Sequence, residues 1–254
     1  MSRFYVYAVC GEAPDPAADG LTGVSGSAVE VLPCADLLAV VSEVPTEEFS
    51  AERLEESMQD LQWLAATARA HHDVVDGVGR HTAVAPLSLA TVFDDRTRVQ
   101  QAIEARRDGL AAVLDRVRGR AEWGIKVFRP EAPSRPAEQK QERPASGSEY
   151  LRRRKAAVDA ARRRSDGAEE EATTLYDELA AVSVDARRHR VHDSSLTGRS
   201  EPMVLNAAFL VDDADSATWR STVERVAPTG FLVEVTGPWV PYSFAAVPEP
   251  EVDR

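Results

Sequence analysis

One long stripe of apolar residues constrains the fold of this 254-residue chain more than any other feature of its sequence. After Thr46, apolar side chains recur at steps of three and four residues: Leu54, Met58, Leu61, Leu64, Ala68, His71, Val75 and Val78. This spacing predicts one long amphipathic helix that ends near Gly77 to Gly79. Because such a helix must bury its apolar side against another element, neighbouring segments have to supply a covering surface.

Strand-forming segments lie on both sides of that helix. Residues 4–9, 29–32 and 37–44 are rich in apolar, β-branched and aromatic residues and predict three strands. Residues 83–93 are also apolar, but Pro86 favours an edge strand or an extended loop there over a central strand. A second helix is predicted from Asp94 to Gly119.

The second half of the chain predicts the order strand, helices, strand, helix, strand. Its segments are a strand at 121–130, a Pro-rich loop at 130–148, a basic helix at 149–164, a further helix at 168–190, a strand at 204–211, a helix at 214–226 and a strand at 231–235. An α+β fold with helices on one face of a sheet satisfies this order.

The charge balance limits the possible partners. With 30 Lys and Arg against 42 Asp and Glu, the formal net charge is -12, which opposes broad attraction to nucleic acid or an anionic membrane. Cys10 and Cys34 are too few for a disulfide framework or a thiolate zinc site, which fits a reducing cytoplasm. No stretch has the ~18 apolar residues of a membrane helix, and we expect no export signal.

Two histidine clusters raise the question of metal or acid–base chemistry. His71 and His72 are adjacent, and neighbouring residues of a helix point about 100° apart, so they are poorly placed to hold one metal ion. Because His71 lies on the apolar stripe, we expect it to be a hydrogen-bonded core or interface residue. His189 and His192 have better spacing, but we interpret them as a solvated helix end. The glycines of GLTGVSG at 20–26 indicate a loop that needs positive φ, because the Lys of a phosphate-binding loop is missing.

Two further groups are candidate binding residues. A local positive patch suits nucleic acid, lipid or an acidic protein partner. It consists of Arg152, Arg153, Arg154 and Lys155, with 162–164. The simpler interpretation is a solvated helix balanced by acids on the neighbouring helix: Glu169, Glu170, Glu171, Asp177 and Glu178. Near the C-terminal end, Trp239, Tyr242 and Phe244 are either core anchors or binding hot spots.

Seven segments together resemble the GvpL/GvpF family of gas vesicle proteins. They are FYVYAV, LQWLAATARAHHDVV, VAPLSLATVF, EWGIKVF, GSEYLRRRK, NAAFLV and GPWVPYSF, in this order along nearly the whole chain. The chain departs from the family pattern at Ser88, Leu89 and Ala90, where Arg-Phe-Gly is common, and at Val240, where a second proline is common.

The resemblance implies an α/β N-terminal domain at 1–119 and a modified ferredoxin-like domain at 120–254, with extra helices inserted at 149–190. It implies a non-enzymatic accessory protein that binds the apolar wall protein GvpA and other Gvp proteins. We expect it in the cytoplasm before assembly and at the gas vesicle afterwards. No cofactor, nucleic acid, membrane or small-molecule substrate is expected. Arg152 to Lys155 and the three aromatic residues are the positions where substitutions should disturb assembly.

Two other function classes remain open at this point. A nucleic-acid-binding regulator would use the basic helix at 152–164, and its binding would weaken with salt. An enzyme would use His71 with nearby acids, which requires His71 to line an open pocket beside a second titrating group. A His71 packed against the N-terminal sheet would argue against the enzyme.

Overall fold

The structure, a computed structural model, describes residues 2–13, 20–129, 147–191 and 201–246. They form a mixed fold of helices and two antiparallel sheets, grouped into two compact units. The first unit contains the described residues within Met1–Glu122 and Pro238–Arg254, and the second is Trp123–Gly237. The expected division at residue 119 differs from this grouping chiefly in 238–246. Val240 and Ala245 in that segment belong to the core of the first unit.

The sheet of the first unit is built around its N-terminal strand. Its strands are β1 (Ser2–Cys10), β2 (Val29–Cys34), β3 (Leu37–Pro45), β4 (Val84–Pro86) and β5 (Val92–Phe93). Their order is β2-β3-β1-β4, with β5 also paired to β1. The predicted strands are confirmed, and the strand that contains Pro86 lies at the edge, where a missing N–H is tolerated. Residues 4–10 are all buried because both faces of β1 are covered.

The helices of the first unit are shorter and more numerous than the sequence predicted. They are α1 (Thr46–Phe49), α2 (Ala51–Ser57), α3 (Leu61–Gly79), α4 (Arg96–Glu104) and α5 (Arg107–Val117). The prediction of one long helix after Thr46 is therefore wrong, and the predicted helix from Asp94 is divided near Arg106. Gly119, with a φ of 65°, follows the end of α5, near the position where the sequence predicted the second helix to end.

Two capping residues explain the breaks before α3. Ser50 and Asp60 both have extended backbone. The Ser50 hydroxyl accepts the backbone N–H of Arg53 at 3.3 Å, and the Asp60 carboxylate accepts the N–H of Gln62 at 2.8 Å. Side chains that bond free amides in this way end one helix and start the next. Leu61, which the predicted stripe would bury, is 78% exposed at the second break.

The second unit has four strands and two helices among its described residues. They are β6 (Arg120–Phe128), α6 (Gly147–Ala180), β7 (Asp185–Arg188), β8 (Met203–Asp212), α7 (Ser216–Val226) and β9 (Leu232–Trp239). Strand β6 begins and strand β9 ends within the first unit. The sheet order is β7-β8-β6-β9. Leu175 and Leu179 of α6 and Trp219 of α7 join Trp123 and Phe209 of the sheet in one core.

The helix α6 corrects two predictions. It runs unbroken through Gly167 for 34 residues, where two helices were expected, and it ends at Ala180 instead of near 190. The Ser183 hydroxyl donates to the carbonyl of Leu179 at 2.7 Å and accepts the indole N–H of Trp219 at 2.9 Å. The chain then pairs with β8 as β7, and the N–H of His189 donates to the carbonyl of Asn206. The expected helix end at His189 is therefore wrong, and His192 lies outside the described residues.

Gly167 provides a test of the continuous helix. A Cβ at this position meets no atom within 4 Å, and its backbone is helical, so we expect Gly167→Ala to raise the free energy of unfolding by about 0.5–1 kcal/mol. Gly119→Ala is the matched control and should destabilise, because Gly119 has a φ of 65°. Urea unfolding followed by circular dichroism measures both. A destabilising Gly167→Ala would contradict the unbroken helix.

Candidate functional site

Two exposed aromatic side chains lie beside α3 in the first unit. Trp239 is 45% exposed and Tyr242 is 37% exposed. Their ring centroids lie 5.9 and 6.1 Å from the ring of His72. We call His72, Asp76, Trp239 and Tyr242 the aromatic surface. Exposed Trp and Tyr held side by side are typical of the anchors of protein interfaces.

The backbone that carries these aromatic rings is fixed by buried neighbours. Phe244 is 1% exposed, and Val240 packs so closely on α3 that a Cβ at Gly79 would lie 2.5 Å from Val240 Cγ2. The Glu122 carboxylate accepts the backbone N–H of Ser243 at 2.8 Å and its hydroxyl at 2.6 Å. The three predicted aromatic candidates therefore divide: Phe244 is in the interior, whereas Trp239 and Tyr242 are presented at the surface on a rigid segment.

The surroundings of Tyr242 disfavour ionisation of its hydroxyl. Burial of part of this side chain raises its pKa, and the negative charge of Asp76 raises it further. Asp76 in turn pairs with Arg80 at 2.6 Å. At neutral pH, Tyr242 is therefore an uncharged ring with a hydrogen-bond donor. The aromatic surface offers apolar contact with a few polar groups, an arrangement suited to another protein's apolar side chains.

His71, next to His72, faces the core. It is 4% exposed, and its Nδ1 lies 3.0 Å from the hydroxyl of Tyr5 on β1. Its ring also lies 5.6 Å from that of Tyr7. Burial, with a smaller contribution from the neighbouring His72, lowers the pKa of His71 to about 4. His71 is thus a neutral core residue packed against the N-terminal sheet, as the sequence predicted, and it does not line an open pocket.

The hydroxyl of Tyr7 ties the glycine-rich loop to the sheet. It accepts the N–H of Val24 at 2.9 Å and donates to the Ser42 hydroxyl at 3.0 Å. A Cβ on Gly23 would lie 2.1 Å from the Tyr7 hydroxyl oxygen. Gly20 and Gly26 have positive φ, at 90° and 72°, as the loop interpretation predicted.

A groove of about 230 Å³ also lies in the first unit. Its walls are mainly apolar, with Leu87, Phe93, Ile103 and Leu110 among them, and Arg106 is the charged side chain in its lining. It can accept a small apolar group beside a carboxylate, but its lining has no nucleophile paired with a base. Sequence reasoning missed this groove because its walls come from three separate segments, 86–93, 102–110 and 245–246.

The predicted basic group lies on the N-terminal half of α6 in the second unit. Arg152, Arg153, Arg154 and Lys155 are all exposed, and Arg153 pairs with Glu149 one turn earlier at 2.5 Å. The acids at 169–171, 177 and 178 were expected on a neighbouring helix to balance these cations. That expectation is wrong, because they lie on the same helix, further toward its C-terminal end.

The part of the chain that the structure describes contains no group of three or more His, Cys, Asp or Glu side chains that could hold a metal ion. Cys10 and Cys34 are buried free thiols, and burial raises the pKa of Cys10 to about 11. None of the helices within the described ranges combines the length and apolar character needed to cross a bilayer.

Comparisons with known proteins agree on one family. The family model described as gas vesicle synthesis protein GvpL/GvpF matches residues 3–246. Gas vesicle protein L of Streptomyces sp. is 38% identical, over 98% of this chain and 94% of its own length. Gas vesicle protein F1 of Halobacterium salinarum is 22% identical, over 83% of this chain and 78% of its own length.

Two crystal structures share the fold. GvpF from Anabaena sp. matches with a TM-score of 0.72 at 16% identity, over the full length of both chains. GvpF from Microcystis aeruginosa matches with a TM-score of 0.65 at 18% identity, over 97% of this chain and 100% of that chain.

The buried His71 predicts a specific pH dependence of stability. Its folded pKa of about 4 is below the unfolded value of roughly 6.5, so the unfolded state binds the extra proton. The contribution of this residue to the free energy of unfolding is complete above about pH 6.5 and falls by roughly 3 kcal/mol by pH 4. We expect His71→Gln, neutral throughout, to show a shallower loss than the parent between these pH values in urea unfolding. The variant His72→Gln should keep most of the parent's loss, because His72 is the smaller cause of the lowered pKa of His71. A parent slope in His71→Gln would refute the assignment.

Proposed function

The chain belongs to the GvpL/GvpF family of gas vesicle proteins, and on this premise we propose that it is a non-enzymatic accessory protein that binds unassembled wall protein GvpA. Other Gvp proteins are further proposed partners. We place the protein in the cytoplasm before assembly and at the gas vesicle afterwards, with no cofactor in either state.

The physical need for such binding follows from the wall itself. A subunit apolar enough to keep liquid water out of a gas-filled compartment exposes a large apolar surface as a free monomer. Such surfaces associate without specificity. A partner that covers them during assembly prevents aggregation, and the excess acid on this chain, with a net charge of -12, favours a soluble complex.

The aromatic surface is the observation that carries the proposal. Trp239 and Tyr242 stay exposed although their segment is anchored by the buried residues Val240, between them, and Phe244, after them. A pre-ordered pair of aromatic rings loses little conformational entropy when a partner covers it. The first unit therefore presents apolar contact area at a low ordering cost, which is what capture of an apolar subunit requires. The enclosed His71 removes the sequence feature that had suggested an enzyme.

We also propose that the second unit is a modified ferredoxin-like domain. Its elements follow the order β6-α6-β7-β8-α7-β9, the β-α-β-β-α-β pattern of that fold. The spatial order β7-β8-β6-β9 supports this proposal because the two helix-linked pairs, β6 with β7 and β8 with β9, are interleaved in it. The extra length of α6 would then be the elaboration of the fold, and we place the domain division near 119.

Co-expression of this chain with GvpA, followed by affinity capture, tests the proposed function. We expect GvpA to be retained by the parent chain and retention to fall about tenfold or more in a Trp239→Ala/Tyr242→Ala double variant, because interface aromatics carry much of the binding energy. Leu232→Ala, at a 42% exposed apolar residue of the second unit, is the matched control and should retain GvpA.

Circular dichroism and urea unfolding must show that the double variant is folded. Absence of GvpA from the captured parent, with both proteins folded, would reject GvpA binding altogether. Full retention by the folded double variant would instead reject the aromatic surface as the contact.

A further inference from the structure

The two halves of α6 have different surroundings. Its buried described residues are all in the C-terminal half, at spacings of three and four: Ala168, Ala172, Leu175 and Leu179. In the N-terminal half, the side chains described at 151–159, 162 and 163 are all exposed. The N-terminal half is therefore a helical surface that the core of the second unit does not cover.

An apolar pair marks one side of this surface. Leu151 is 64% exposed and Val158 is 59% exposed, and they are seven residues apart. The same seven-residue step leads on through Ser165 to Ala172 and Leu179, which are buried in the core. A seven-residue apolar repeat is the pattern by which one helix packs along another. The protein's own core therefore buries residues of this repeat only in the C-terminal half of α6.

All but one of the charges around the apolar pair have the same sign. Residues 151–164 contain six arginines and one lysine against the single acid Asp159, in a chain of net charge -12. Arg154 and Lys155 lie three and four residues after Leu151, so they share its side of the helix. Their aliphatic stems extend the apolar strip while their charged ends lie beside it.

We propose that residues 151–163 of α6 bind an acidic amphipathic helix of another protein. Its apolar positions cover Leu151 and Val158, and its carboxylates pair with Arg154, Lys155 and Arg162. Nucleic acid would satisfy the cations but leave the apolar pair against solvated phosphates, whereas an acidic helix satisfies both. The proposal depends on α6 alone and is independent of the capture of GvpA by the aromatic surface.

A synthetic helical peptide with leucines seven residues apart and glutamates beside them is the probe. We expect the full-length protein to bind it, measured by fluorescence anisotropy, and a matched peptide with lysines in place of the glutamates to bind at least about tenfold more weakly. Leu151→Ser/Val158→Ser keeps every charge and should also weaken binding about tenfold. Arg154→Glu/Lys155→Glu should reverse the preference between the two peptides.

Val182→Ser, at a 48% exposed apolar residue after the end of α6, is the matched control and should leave peptide binding unchanged. Unchanged affinity in Leu151→Ser/Val158→Ser would overturn the proposal, because attraction would then be purely electrostatic. Tighter binding of duplex DNA than of the peptide at the same salt would overturn it in favour of the regulator. A parent dimer in light scattering that the serine variant converts to monomer would assign the surface to a second copy of the chain.

Discussion

The first unit depends on the burial of β1 on both faces, because two tyrosine hydroxyls are buried with it. A buried hydroxyl without a hydrogen bond costs free energy, so the surrounding elements must supply partners. The Tyr5 hydroxyl is hydrogen-bonded to His71 of α3 and accepts the N–H of Ala90. The Tyr7 hydroxyl donates to Ser42 of β3 and accepts the N–H of Val24. These bonds join α3, β3 and two loops to one strand.

The same constraint positions the aromatic surface. His71 must face β1 to reach Tyr5, and because successive helical residues point about 100° apart, His72 is turned away from that contact toward the side where Trp239 and Tyr242 lie. Gly79 keeps α3 close to Val240, which holds the aromatic segment in place. A core contact and a surface contact are therefore linked through adjacent residues of one helix. The role of this surface in gas vesicle assembly is proposed from the family and from this geometry together.

Several parts of the structure were predictable because they depend on local pattern. The apolar, β-branched and aromatic composition predicts the strands at 4–9, 29–32 and 37–44, and helical periodicity predicts the core position of His71. The edge position of Pro86 follows from its missing backbone N–H. The helix breaks at Ser50 and Asp60 were missed, although both residues are good caps, because the apolar spacing continues across them. The segment 185–188 is predicted as part of a helix because the apolar spacing continues through Val182 to Ala186. Only its pairing with β8 makes it a strand.

Short motifs and local periodicity are enough to identify the family, the mixed α and β composition and the residues able to fill a core, since these properties reside in neighbouring residues. The folded chain is needed to see that Phe244 is buried while Trp239 and Tyr242 are exposed, and that Leu151 and Val158 remain uncovered on α6. Exposure depends on which distant segments pack against a side chain, and no local pattern encodes that. The groove beside Arg106 has the same origin, because its walls meet only after the chain has folded.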